Sequence, residues 1–190
     1  MSHANILVLE SDKTHSWLRS AGLVILSSIL IGLFANVAIP LPFTPVPLAT
    51  QGCVILVLSV LLGSKRAVAS VLAFLAQGAA GLPVFATGHC GLASLLGPTG
   101  GYFFGYLVAA FLVGAIVERM QNRTPMKLFW AMAAGNAMFF LFGVPYLATF
   151  IGFKQAVLLG IAPFILGDLL KLVIGTKLLQ RIVPMLSKVR

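Results

Sequence analysis

Residues 67–117 read AVASVLAFLAQGAAGLPVFATGHCGLASLLGPTGGYFFGYLVAAFLVGAIV, 51 residues without one Asp, Glu, Lys or Arg. A membrane-crossing helix needs about 20 apolar residues, so this stretch holds two helices and a glycine-rich connection between them. Residues 20–64 form a second charge-free block of 45, and residues 128–176 a third block of 49 that carries only Lys154, Asp168 and Lys171. Each block again has the length of two helices and a link. The reading is an all-α membrane protein of six transmembrane helices, at about 21–39, 48–62, 67–80, 101–117, 128–144 and 163–183. The run Pro40 to Pro47 closes the first helix and Pro145 closes the fifth, because proline lacks the N–H a helix uses and turns its predecessor away from helical dihedrals. Residues 154–162 then read as an interfacial approach to the last helix.

Composition excludes the alternatives. Of 190 residues, 59% are apolar and 9% charged, where a soluble domain carries about 45–50% and about 25%. The net charge of +9, from 13 Lys and Arg against 4 Asp and Glu, would suggest a nucleic-acid partner in a soluble chain. Here it follows membrane topology. Lys13, Arg19, Lys65, Arg66, Arg119, Arg123, Lys127, Lys177, Arg181, Lys188 and Arg190 fall on one side and Lys154 on the other, which predicts both termini in the cytoplasm. Glu10, Asp12 and His15 precede the first apolar run, so a cleavable signal peptide is not expected. Neither a repeat nor a second domain is visible, and residues 1–190 read as one domain of the cytoplasmic membrane. There is no phosphate loop, HExxH or GxSxG; Cys53 and Cys90 lack metal-site spacing, and His3, His15 and His89 cannot share one helix face. An enzyme, a metal and a cofactor are not expected.

Three features carry the functional reading. Gly167-Asp-Leu-Leu-Lys171 sets a carboxylate and an ammonium at i, i+3 on one face. Ionisable groups inside an apolar span are costly and mark a cavity or a pathway. Counted from Pro163, the two stand roughly 7 and 12 Å below the outer end of their helix. Residues 78–105 hold 8 of the 19 glycines, and their uncharged centre, residues 81–91, reads as an outer lid over the bundle. Within it Phe85 offers an aromatic face, and Thr87 or His89 polar contacts. The small residues Gly101, Gly105 and Ala109, Ala69 and Ala73, and Ser28 and Gly32 allow close helix approach and read first as internal packing. Phe103, Phe104, Tyr106, Phe139, Phe140 and Phe142 read as core and lipid contacts.

The ordered set Pro45-Val-Pro47 followed by Gln51, Gly81-Leu-Pro-Val-Phe85, Leu96-Gly-Pro-Thr-Gly-Gly-Tyr102, Gly143-Val-Pro145 and Gly167-Asp-Leu-Leu-Lys171 resembles the signatures of the BioY family. These are the biotin-binding S-components of energy-coupling-factor (ECF) vitamin transporters. The resemblance implies biotin uptake, with Lys171 on the valerate carboxylate and Asp168 accepting from the ureido N–H groups. The further substrate-binding positions expected here are Gln51, Phe85, Thr87 and His89. The implied partners are biotin, the lipid membrane, a transmembrane coupling subunit and ATPase subunits. Ser28-xxx-Gly32 only approximates the small-residue docking signature of S-components. The alternative reading is a self-contained facilitator or secondary transporter for biotin or a similar small carboxylate; a membrane enzyme is third, for want of a nucleophile and base.

Overall fold

The computed structural model describes residues 3–187, almost all in helices. Lys188 and Arg190, counted above on the cytoplasmic side, lie outside the described residues, as do the side chains of residues 3–16 and 184–187. The chain runs through α1 (His3–Ala35), a two-residue ladder of β1 (Ala38–Ile39) with β2 (Leu48–Ala49), α2 (Gln51–Leu62) and α3 (Ser64–Ala79). A short α4 (Leu92–Leu96) follows, then α5 (Gly100–Glu118), α6 (Pro125–Ile151), α7 (Phe153–Gly160) and α8 (Ile165–Ser187).

Several expected boundaries shift, each for a local reason. The first helix ends at Ala35 rather than at 39, where Asn36 Nδ2 donates back to Gly32 O at 3.1 Å. The residues beyond it pair antiparallel, Ala38 with Ala49 and Ile39 with Leu48, so the proline-rich loop between them is pinned at both ends. That pairing takes residues 48–50 out of the second helix, which starts at Gln51. Pro145 does not close the fifth helix. α6 continues through it to Ile151, with the ring on an exposed face. One lost backbone bond is tolerated in a long packed helix whose other bonds remain. Residues 154–162 are not a plain approach segment, since most of them form α7, entered through Gly152 at φ 82°.

Trp17–Ala35, α5 and α6 are each long and apolar enough to cross a membrane, and α7 with α8, bent by 43°, makes a fourth crossing if the pair is one span. At 1.5 Å per residue, the 12 residues of α2 and the 16 of α3 reach about 18 and 24 Å, against a hydrocarbon layer of about 30 Å. The expectation of six full spans is therefore met by three or four helices of spanning length and two shorter ones. α2 is the most enclosed, with Gln51 and residues 55–60 all buried.

Helices α5 and α6 approach through glycines. A Cβ on Gly101 would meet Phe142 O and Tyr146, one on Gly105 would lie 2.9 Å from Met138 O, and one on Gly135 would meet Val113 and Leu56. The row on α1 also faces inward: Ser28 is fully buried and accepts from Gln77 Nε2 at 2.9 Å, and a Cβ on Gly32 would come within 3.1 Å of Val84. Ser28 and Gly32 thus lie in internal packing against α3 and Val84, the reading taken first from the sequence, and not on an outward docking face. The outward face of α1 is Ile25, Leu26, Ile29 and Leu33, all exposed, as apolar residues facing lipid would be.

Two polar staples fix the ends. At one, Arg66 donates to Ser20 Oγ at 3.0 Å and Glu118 Oε1 accepts from Ser64 N–H at 2.7 Å. At the other, Asn36 donates to Pro83 O and Tyr146 donates to Leu96 O, which ties the segment between α3 and α5 across the bundle.

Candidate ligand-binding site

Asp168 sits in the first turn of α8, where its N–H bonds to Phe164 O at 2.8 Å and a carboxylate is favoured by the helix dipole. Because α8 starts at Ile165, Asp168 and Lys171 stand roughly 5 and 9 Å along it, nearer the end than the sequence estimate. Lys171 Nζ donates to Asp168 Oδ1 at 3.1 Å and to Ala49 O at 2.8 Å. Asn136 Nδ2, from the middle of α6, donates to Asp168 Oδ2 at 3.2 Å. Cys53 Sγ donates to Lys171 O at 3.2 Å. The side chains of Lys171 and Asp168 keep 20% and 15% of their surface, so the pair is shielded without being sealed.

The pair lines a narrow cavity of about 50 Å³, room for a few water molecules. A second cavity of about 470 Å³ lies between the Pro40–Pro47 loop and the segment from Phe85 to Thr99, within the usual range of small-molecule sites. Val46, Pro47, Tyr102 and Tyr106 belong to the walls of both. The partition between them is therefore a loop and two aromatic side chains, not a helix. Tyr106 is held edge-on to Phe139 at 4.8 Å between ring centroids, and its hydroxyl accepts from Gln51 Nε2 at 3.0 Å. Tyr102 donates to Gly160 O at 3.1 Å.

The loop of residues 81–91 is folded around Phe85. Its side chain is 1% exposed, lies 5.5 Å from the Phe74 ring centroid and 4.8 Å from that of Phe103, and fills the space a Cβ on Gly78 would need. Gly91 N–H reaches back to Gly78 O at 2.7 Å. At the tip, Thr87 adopts φ 60° and donates to Ala86 O at 2.6 Å. His89 Nδ1 lies 2.7 Å from Thr87 Oγ1 and 3.0 Å from Ala86 O. Nδ1 donates to that carbonyl in one tautomer and accepts from the Thr87 hydroxyl in the other.

The BioY family profile matches residues 7–188. The chain belongs to the BioY family. The Biotin transporter BioY of Rhizobium etli is 35% identical over 161 residues, covering 80% of this chain and 86% of the relative. That of Rhodobacter capsulatus is 37% identical over 165 residues, covering 76% and 86%. The crystal structure at 2.1 Å of the S-component for biotin from an ECF-type ABC transporter superposes with a TM-score of 0.82 at 26% identity, over 90% of this chain and 93% of that one. BioY relatives are thus named as transporters, and the fold seen here is shared with an S-component.

The structure brings the sequence-selected positions of this BioY member into two groups. Asp168 and Lys171 line the small cavity; Gln51, Phe85, Thr87 and His89 line the large one. Lys171 Nζ and Asp168 Oδ1 are 3.1 Å apart and line the small cavity as a pair. Tyr102, Tyr106 and Asn136 were missed. Asn136 carried a signal, an amide in an otherwise apolar run; the two tyrosines were indistinguishable from packing aromatics.

Proposed function

We propose that this chain binds biotin at the lid end of the bundle and acts as the substrate-binding component of an ECF-type transporter in the cytoplasmic membrane. The observation that carries the reading is the hydrogen-bonded Asp168–Lys171 pair, set one thin wall away from a 470 Å³ cavity in a BioY-family chain. The pair is neutral as a whole, and a bare ligand carboxylate beside Asp168 would leave net negative charge in a shielded pocket. The ureido ring suits it better: Asp168 accepts an N–H and Lys171 donates its third proton to the ring oxygen. The valerate chain then lies along the apolar wall of the large cavity, with Phe85 at its side. Its carboxylate reaches the wetter lid tip at Thr87 and His89. A shift of the Pro45–Pro47 segment joins the two cavities.

All six long or intermediate helices contribute to the membrane domain, residues 81–97 serve as the lid, and both termini face the cytoplasm, with Arg19, Lys65, Arg66, Arg119, Arg123 and Lys127 toward that side. Below the site, Ile55 to Leu62 and Leu107 to Val117 offer a solute no polar foothold but Ser59, whose hydroxyl is spent on Ile55 O. Release inward therefore calls for movement of the whole bundle against a transmembrane coupling subunit driven by ATPase subunits, rather than for a passage within the chain.

Calorimetry on purified protein tests the assignment. Biotin binding should weaken by roughly 30-fold to several thousandfold in Lys171→Ala, the usual penalty for removing one partner of a shielded charge pair. Wild-type affinity in that variant rejects the site. Uptake in liposomes that requires added ATPase and coupling subunits supports the component role, and uptake by the chain alone replaces it with a facilitator.

A further inference from the structure

One buried side-chain polar atom in the described residues has no partner. Gln51 is 4% exposed, its Nε2 is spent on the Tyr106 hydroxyl, and its Oε1 accepts nothing. A buried acceptor left unpaired is a standing cost, and the few that persist in native structures need an explanation. Its partner Tyr106 is in the complementary position. The hydroxyl oxygen accepts from Gln51, but its own proton is donated to no acceptor among the described residues. One acceptor and one donor, both unspent, therefore lie on two side chains that touch. Both residues line the large cavity, and Tyr106 lines the small one as well.

We infer that Gln51 and Tyr106 together read the neutral edge of a cyclic urea, Gln51 Oε1 accepting one ring N–H while the Tyr106 hydroxyl donates to the neighbouring ring oxygen. An N–H beside a C=O on the same edge of a ring presents the mirror of this pair, one donor and one acceptor side by side. A carboxylate, an ether or a thioether only accepts, and so satisfies only half of it. The inference rests on the binding of biotin proposed above and extends it. Asp168 and Lys171 recognise charge-compatible polar groups in general, whereas the Gln51–Tyr106 pair makes the site selective for a urea or lactam edge. The local structure is suited to holding the two groups still. Gln51 is the first residue of α2, directly after the ladder that fixes Leu48 and Ala49, and the Tyr106 ring is wedged between Phe103 and Phe139.

The test uses three ligands of equal chain length: biotin, desthiobiotin, which keeps the urea and lacks the thioether, and 2-thiobiotin, whose ring oxygen is replaced by the weakly accepting sulfur. Affinities are measured on wild type, Tyr106→Phe, which keeps the packed ring, and Gln51→Leu, with thermal unfolding in detergent to confirm that each variant is folded. Tyr106→Phe should lose roughly five- to a hundredfold for biotin and for desthiobiotin and almost nothing further for 2-thiobiotin. Gln51→Leu should lose a similar factor for all three, since each keeps its ring N–H groups. Equal loss on all three ligands in Tyr106→Phe would mean that the hydroxyl only supports the fold, and unchanged biotin affinity in either folded variant overturns the inference. Wild-type protein that binds none of the ligands overturns the biotin reading itself, a result plainly different from either of those.

Discussion

At the basic end of the bundle, α2 turns into α3 through Gly63, Glu118 caps the new helix through Ser64, and the Cβ that Gly114 lacks would collide with the Ser64 backbone. Val60, Val71, Val113, Val117 and Leu128 around that corner are all 2% exposed or less. At the opposite end, where the proposed lid lies, the same helices spread around two cavities. The chain there leaves helical geometry for a proline loop and a glycine-rich loop, and polar side chains such as Gln51, Asn136, Asp168 and Lys171 replace the valines. The contrast shows how one small bundle separates tasks. Close packing without space resists deformation and seals the membrane, while irregular backbone, which membrane interiors tolerate only around a cavity, makes room for a solute.

If the two ends differ in this way, substitutions at the lid end should mainly change binding and those at the basic end mainly stability. The largest effect is expected from separating the charge pair. Asp168→Leu leaves an unpaired ammonium and should cost biotin binding about 2–5 kcal/mol together with a lower unfolding temperature. The double variant Asp168→Leu with Lys171→Met should recover the unfolding temperature but not the binding. A double variant that binds biotin normally would collapse the distinction. Next in size is Gly114→Leu at the basic end. Overpacking against the Ser64 backbone should cost about 1–3 kcal/mol of stability, read as a fall in unfolding temperature, while calorimetry on the folded fraction returns wild-type affinity. Reduced affinity there would show that the two ends are mechanically coupled. Smaller again is Glu118→Gln, which weakens the cap on Ser64 and should cost about 0.5–2 kcal/mol with no change in affinity. The smallest signal is kinetic: hydrogen exchange across residues 85–92 should slow when biotin is added, while exchange across 107–117 stays the same. A lid that exchanges equally with and without biotin is a fixed loop.

Much of this arrangement was legible from particular residues. Long apolar stretches must be helices in a membrane because no other single segment pairs its own backbone there, and the glycine-dense residues 78–105 had to contain the break. Asp168 and Lys171 stood out because charge is rare in such stretches. The exact helix ends were not legible. Pro145 looks like a terminator, yet α6 passes through it, since neighbouring packing outweighs one missing hydrogen bond. Ser28 and Gly32, by contrast, read first as internal packing, and the side of α1 they occupy is turned toward α3 and Val84.

The sequence by itself determined the helical membrane class, the asymmetric distribution of basic residues, the break between α3 and α5, and the two charged side chains of α8. These follow from hydropathy, charge and backbone chemistry, which act locally along the chain. Only the tertiary structure decided that Ala49, 122 residues from Lys171, supplies its carbonyl acceptor, that Asn136 steadies Asp168, and that Tyr106 meets Gln51 across 55 positions. Such pairings depend on how helices far apart in sequence are rotated and brought together by close packing, and no local pattern encodes that rotation.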